Sequence, residues 1–311
     1  METYTVVRVH GLIQHLLSPR DYEALINGRG LWEYPEYAHV EPEDDVPSML
    51  TKVGKVLIER LEFLSSLESG YRRFIRAFSD RLELENIKIK LRELHRAREK
   101  YDIYAQYSHH IPLEELLGIS EEESFWRKLE GTPYHSLLAT EDLKGKSLQF
   151  KEAYLDSCYY AYFKGSLNRR ERKTLGRFID LEGLIPAAYW MIVLGEKEVT
   201  PRLEGEFKGF RTEFSRIEEY SLRAVLGELG IGWDRAGKLV RESKISALIR
   251  EALVNHLGKV KDEARRRRLS LAYVYYYLLL AKYERDNLQR VIVGRSLELD
   301  REKILQTLIL P

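Results

Sequence analysis

Residues 81–94 read RLELENIKIKLREL, and this stretch indicates the fold class of the whole chain. Leu84, Ile87 and Leu91 recur at steps of three and four residues, which is the spacing of one face of an α-helix. Charged residues fill the positions between them, so one side of this helix is apolar and the other is solvated. The same spacing recurs at residues 222–229. The pattern predicts an all-α protein.

Three segments interrupt the helical spacing. Residues 34–47 contain three prolines and an acidic run, residues 109–112 end in a proline, and residues 195–209 combine a proline with glycines and charge. Such composition is typical of loops between helices. The last two segments divide the chain into thirds. The predicted domains are residues 1–110, 111–205 and 206–311.

An acidic pattern of six residues occurs once in each third. Each copy has two acids separated by one residue, then Asn or Gly, then an aliphatic residue. The copies lie roughly 100 residues apart, which indicates three related domains. Asn86 and Asn287 lie beside the apolar face of their helices, so we expect an interhelical or inter-domain hydrogen bond that fixes packing, with direct partner contact as the alternative. The copies are residues 82–87, 179–184 and 283–288.

The composition limits the class of protein. At 311 residues the chain is long enough for two or three domains. Its net charge of +1 provides no global attraction to nucleic acid or to an anionic membrane. No secretory pattern opens the sequence, and no apolar run approaches the ~20 residues of a membrane span, so we expect a soluble or peripheral protein. Abundant Glu, Lys and Arg with few Asn, Gln and Met fit a thermophile.

Three short motifs resemble catalytic or ligand sites and are interpreted otherwise. His109 and His110 suggest a metal or a catalytic base, but adjacent side chains on a helix or strand point apart, and no acid stands at ligand spacing. Cys158, the single cysteine, lies in an apolar stretch and is expected to be a packed core thiol. Residues 227–232 contain three glycines without the Lys-Ser/Thr of a phosphate-binding loop, which predicts a turn between helices. We therefore predict no catalytic, cofactor-binding or metal-binding residue.

The strongest candidate for a partner surface is a basic run in the last third. Basic residues beside aromatics are a footprint of nucleic-acid binding. Arginines that follow one another on a helix point to all sides, however, which favours an ordinary solvated helix. Contact with an acidic protein partner or with lipid headgroups is a third interpretation. The basic residues are Lys259, Lys261, Arg265, Arg266, Arg267 and Arg268, and the tyrosines that follow are Tyr273, Tyr275, Tyr276 and Tyr277.

Four motifs, taken together and in order, resemble those of one known family. They are similar to the acid–x–acid–Asn–aliphatic helix, the Gly-Thr-x-Tyr turn and the Leu-Asp-x-x-Tyr-Tyr run of the C-type central-stalk protein of archaeal and bacterial A/V-type ATPases, whose counterpart in the eukaryotic vacuolar enzyme is the d-type protein. The middle copy departs from the pattern, with Gly183 in place of Asn and Pro186 one turn later, where a kink is expected. The motifs are residues 85–92, 129–134, 155–160 and 284–295.

The resemblance implies three similar helical domains around a pseudo-threefold axis, forming a funnel. It also implies a non-enzymatic rotor subunit that couples the central shaft to the membrane proteolipid ring, for proton or sodium transport and ATP synthesis or hydrolysis. The implied partners are the shaft subunits and the ring. One copy would serve each complex, as a monomer when isolated, at the cytoplasmic face of the cell membrane, without cofactor or nucleic acid. Two alternatives stay open: a helical adaptor or scaffold, and a nucleic-acid-binding protein that uses the patch from Arg265 to Arg268.

Overall fold

The computed structural model describes residues 2–67, 70–137, 139–194 and 222–310. Helices dominate these residues and none of them forms a β-strand, which confirms the all-α prediction. The expected loop at residues 195–209 lies outside the described residues, and so does the predicted boundary between residues 205 and 206.

The helices are joined by turns and short irregular segments. Short 3-10 turns lie at Ile13–His15, Leu31–Glu33 and Pro35–Tyr37. In chain order the helices are α1 (Glu2–Leu12), α2 (Pro19–Ile26), α3 (Val46–Ser66), α4 (Arg72–Ser79), α5 (Arg81–Leu94), α6 (Leu113–Leu117), α7 (Glu122–Leu129), α8 (Thr140–Leu143), α9 (Leu148–Gly165), α10 (Arg169–Leu194), α11 (Leu222–Glu228), α12 (Trp233–Arg241), α13 (Ile245–Arg266), α14 (Leu271–Ser296) and α15 (Arg301–Leu305).

The local predictions agree with these bounds except at a few ends. The predicted loop at residues 34–47 ends two residues early, because Asp45 accepts the Ser48 N–H at 2.9 Å and so caps the start of α3. Pro47 therefore lies in the first turn of α3, where its missing N–H costs no hydrogen bond. The turn predicted at residues 227–232 occupies residues 229–232, where Gly230 adopts a φ of +77°.

The described chain forms two compact units. The first comprises Met1–Ser79, Ile103–Gln106 and Leu257–Pro311, so it contains both ends of the sequence. The second comprises Asp80–Asp102 and Tyr107–His256. The division into three domains stays a prediction.

The first unit is built around α14, which contacts α1, α2 and α3. Leu288 and Val291 on α14 are buried with the apolar side chains of α2, α3 and α15. The start of α2 is fixed by a capping box, in which the Ser18 N–H donates to Asp21 Oδ2 at 2.7 Å and the Ser18 hydroxyl accepts the Asp21 N–H. This box fixes the backbone next to Leu17, whose N–H donates to the buried Glu284 of α14.

The second unit contains two linked apolar regions. Helix α9 contacts both α5 and α10, and α10 continues into a cluster with α11, α12 and the first half of α13. Leu184, Ile185 and Ala188 of α10 are buried in that cluster. The helix runs on through Pro186, so the proline of the middle motif does not end it.

Candidate functional site

The first acid of the first motif, Glu83 on α5, clamps a connecting segment of the second unit. One carboxylate oxygen accepts the backbone N–H groups of His109, His110 and Ile111 at 2.9, 2.9 and 2.8 Å. The other oxygen accepts the hydroxyl of Tyr134 at 2.7 Å. Because Glu83 is only 1% exposed, its hydrogen bonds replace the water that an ionised carboxylate requires.

The corresponding acid of the third motif, Glu284 on α14, makes the same kind of clamp in the first unit. It accepts the backbone N–H of Leu17 at 2.5 Å and the hydroxyl of Tyr37 at 2.6 Å. Arg60 adds a charge-assisted bond at 2.5 Å. In both units a buried glutamate thus holds the backbone just before a proline-led helix start, together with one tyrosine.

The motif asparagines serve packing, as predicted, but their hydrogen bonds to Tyr107 and Ile309 join them to the backbone of connecting segments in their own units, and not to another helix or domain. The Asn86 amide donates to the carbonyl of Tyr107 at 3.2 Å. The Asn287 amide donates to the carbonyl of Ile309 and accepts the N–H of the same residue, both at 2.8 Å. Each asparagine is 1% exposed, so it serves packing inside its own unit.

The middle motif has Gly183 in place of Asn, and both of its acids form buried ion pairs. Glu182 accepts a hydrogen bond from the guanidinium of Arg81 at 2.8 Å, and both side chains are buried. Asp180 pairs with Lys164 at 2.5 Å. Desolvation offsets most of the attraction within such pairs, whereas loss of one partner leaves a buried charge unpaired.

Further ion pairs join α5 to α9 within the second unit. Lys88 pairs with Asp156 at 2.8 Å, and Asp156 also accepts the indole N–H of Trp190 at 2.8 Å. Arg92 lies between Glu152 at 2.6 Å and Asp102 at 3.0 Å. The side of α5 that faces α9 is therefore held by charge as well as by apolar packing.

The basic run of the last third does not form one continuous surface. Arg266 and Arg267 both pair with Glu263, at 3.6 and 2.7 Å. Lys261, Arg265 and Arg268 instead line a cavity of about 570 Å³ in the first unit, and the same cavity is lined by tyrosines and aliphatic side chains. The run thus divides into an ion-paired face and a cavity face.

The tyrosines after the basic run divide in the same way. Tyr273 and Tyr276 line the cavity, whereas Tyr275 and Tyr277 are fully buried. The ring of Tyr273 stacks on His10 with centroids 3.8 Å apart. His10, which carries no sequence motif, was missed as a member of this site because only the fold brings α1 beside α14.

The adjacent histidines correct one prediction. We expected His109 and His110 to point apart and to have no acid near them, yet both rings reach Asp80. The physical reason is that residues 109 and 110 lie in a bend, outside any helix or strand, whose amides converge on Glu83. Cys158 is fully buried, as predicted, and burial raises the pKa of its thiol.

Comparison with known proteins identifies a family. A model of the family described as ATP synthase (C/AC39) subunit matches residues 5–185, which is more than half of the chain. The chain belongs to the ATP synthase (C/AC39) subunit family. No curated protein matches it.

Membership in the C/AC39 family makes the chain a structural subunit of a rotary ATPase of the A/V type. The matched residues contain the first two copies of the acidic motif and the Glu83 clamp. The third copy and the basic residues of the cavity lie beyond residue 185, whereas His10 and the other cavity residues of the first third lie within the match. The third copy resembles the first because Glu284, like Glu83, accepts a backbone N–H and a tyrosine hydroxyl.

No helix in the described part of this C/AC39 chain is long and apolar enough to cross a membrane. Residues 271–281, the first part of α14, are largely buried in the first unit, whereas Leu269 before the helix is exposed.

Proposed function

We propose that this C/AC39 protein is the central-stalk rotor element that couples the shaft of a rotary ATPase to its membrane proteolipid ring. The family match carries the proposal. The protein would lie at the cytoplasmic face of the membrane as a peripheral component, and would pass torque between ATP turnover in the head and ion movement in the ring.

The buried clamps support a mechanical role. An element that passes torque must resist shear between its helices and the segments that connect them. Glu83 fixes three consecutive amides to α5, and Glu284 fixes the Leu17 amide to α14. Hydrogen bonds to charged groups contribute about 1.5–3 kcal/mol each, roughly twice as much as neutral ones, so these connections are stiff for their size.

The cavity face of the basic run is the partner surface that we propose in the first unit. Lys261, Arg265 and Arg268 present three cationic groups at one cavity. An acidic segment of a rotor partner complements that charge, and contacts of this kind weaken with salt because the screening length falls from ~10 Å at 0.1 M to ~3 Å at 1 M.

A capture experiment tests both parts of the proposal. The tagged chain is incubated with purified shaft subunits and with the detergent-solubilised ring, at 0.1 M and 0.5 M salt. We expect both partners to be captured, with at least one of them released at the higher salt. Capture of neither partner by a folded, helical chain would overturn the rotor role, and salt-dependent binding of DNA would then favour the nucleic-acid alternative.

Two double variants test the surface with equal changes in charge. Arg265→Gln with Arg268→Gln removes two cations from the cavity, whereas Arg266→Gln with Arg267→Gln removes two from the face paired with Glu263. We expect only the first variant to weaken capture, by about tenfold or more. Equal weakening by both variants would show that total charge, and not the cavity, attracts the partner.

A further inference from the structure

Among the described residues, Asp80, His109 and His110 offer three ligand atoms that all lie within 4.8 Å of one another. The Nδ1 atom of His109 lies 2.9 Å from one oxygen of Asp80. The Nε2 atom of His110 lies 3.3 Å from the other oxygen. A tetrahedral ion with bonds of about 2.0–2.1 Å separates its ligand atoms by about 3.3 Å, so three atoms that lie within 4.8 Å of one another need only a modest contraction to bind it.

The ligands are held in place before any ion arrives. Glu83 binds the amides of both histidines and of Ile111, which fixes the backbone from which the two rings project. The carbonyl of Asp80 accepts the hydroxyl of Tyr134 at 3.0 Å, and α5 begins at the next residue. A site whose ligands are fixed by their surroundings loses little conformational freedom on binding.

Two tyrosines orient the carboxylate of Asp80 by hydrogen bonds, as residues around metal ligands usually do. Tyr107 donates its hydroxyl to one oxygen of Asp80 at 2.9 Å, and Tyr162 donates to the other at 2.8 Å. Metal-binding carboxylates are in turn hydrogen-bonded by such outer partners.

The cluster is buried at Asp80 and open to solvent at the two histidines. Asp80 is completely buried, whereas the side chains of His109 and His110 are 36% and 23% exposed. An ion can therefore enter from the side of the histidines, and solvent can supply the remaining ligand. The ring of His110 meets Tyr134 and Tyr162 edge to face, with centroids 5.8 Å away in each case, so aromatic groups wall the inner side.

We propose that Asp80, His109 and His110 bind one divalent transition-metal ion of the zinc class. Each imidazole offers the ion the nitrogen that faces Asp80, and its proton moves to the other nitrogen of the same ring. Two imidazole nitrogens and one carboxylate oxygen suit Zn²⁺ or Co²⁺, whereas Mg²⁺ and Ca²⁺ prefer ligand sets made entirely of oxygen. The bound ion joins the start of α5 to the segment at residues 109–110, so it stabilises the fold of the second unit.

The test uses the full-length chain without an affinity tag, stripped with a chelator and titrated with Zn²⁺ and, separately, with Co²⁺. We expect one ion per chain, a visible Co²⁺ absorption of the tetrahedral kind, and a rise in the melting temperature with Zn²⁺ that Mg²⁺ does not reproduce. Absence of stoichiometric binding by the folded chain would overturn the proposal.

Four variants separate this site from adventitious binding. His109→Gln and His110→Gln should each weaken Co²⁺ binding at least 100-fold and remove its absorption. His109→Gln is the mildest change to the fold, because this side chain is the most exposed of the three ligands. Tyr162→Phe should weaken it by about 10–100-fold through the carboxylate alone. His39→Gln, a control in the first unit, should change nothing. Binding that survives His109→Gln and His110→Gln in chains of unchanged circular dichroism would place the ion elsewhere.

Discussion

Replacement of Glu83 by alanine removes the only acceptor that the structure shows for three consecutive amides among the described residues. The Ile111 amide is buried, whereas those of His109 and His110 are partly accessible to water. The Tyr134 hydroxyl also loses an acceptor, although it keeps a 3.0 Å bond to the Asp80 carbonyl. The main loss is therefore one fully buried donor and two partly buried ones.

These contacts give the size of the effect. A buried donor without a partner costs about 1–3 kcal/mol, so Glu83→Ala should lower the free energy of unfolding of the second unit by ~3–5 kcal/mol. Glu83→Gln keeps an acceptor for the amides and loses only the charge, so its cost should be ~1–2 kcal/mol. Glu114→Ala, which truncates an exposed glutamate of α6, should cost less than ~1 kcal/mol.

Urea unfolding followed by tryptophan fluorescence measures these differences. Trp126 and Trp190 are both buried in the second unit and report on it directly. The transition is fitted separately from that of the first unit if two steps appear. If Glu83→Ala were as mild as Glu114→Ala, the clamp would not stabilise the segment, and the mechanical reasoning built on it would fail.

Three further predictions concern other buried groups. Glu182→Ala should lower the free energy of unfolding by ~3–5 kcal/mol because it leaves Arg81 charged and buried. Arg81→Met combined with Glu182→Leu should recover most of that loss in the same unfolding assay. A double variant whose cost equals the sum of the two single-variant costs would contradict this. Burial raises the pKa of Tyr277 to about 12 from 10.0, so its contribution to stability is fully present below pH 10 and lost as the pH rises towards 12. Tyr277→Phe should therefore flatten the alkaline fall in melting temperature, and an unchanged slope would count against the shift. Asn287→Ala should cost ~2–4 kcal/mol, since both backbone groups of Ile309 lose their side-chain partner; calorimetry that shows less than ~0.5 kcal/mol would refute it.

The sequence predicted the helical fold, the α5 helix and the structural use of Asn86 and Asn287, because each depends on local spacing. The sequence also indicates which arginines of the basic run form ion pairs. Glu263 stands three and four residues before Arg266 and Arg267, which is the spacing of ion pairs on one helix face.

The rest depends on contacts between distant parts of the chain. Asp80 lies 29 and 30 residues before the histidines that it meets, and Leu17 lies 267 residues before Glu284. No periodicity relates such positions. The assumption that neighbouring histidines diverge holds for helices and strands, and it was wrong at His109 and His110 because a bend lies there.

Coupled ion transport tests the proposed rotor role most directly. Vesicles that contain the rotary ATPase without this protein are compared with vesicles to which the purified chain has been added, and both ATP hydrolysis and ATP-driven ion uptake are recorded. We expect hydrolysis in both samples and ion uptake only where the chain is present. Full uptake without the chain, or no recovery on addition of the folded chain, would contradict it.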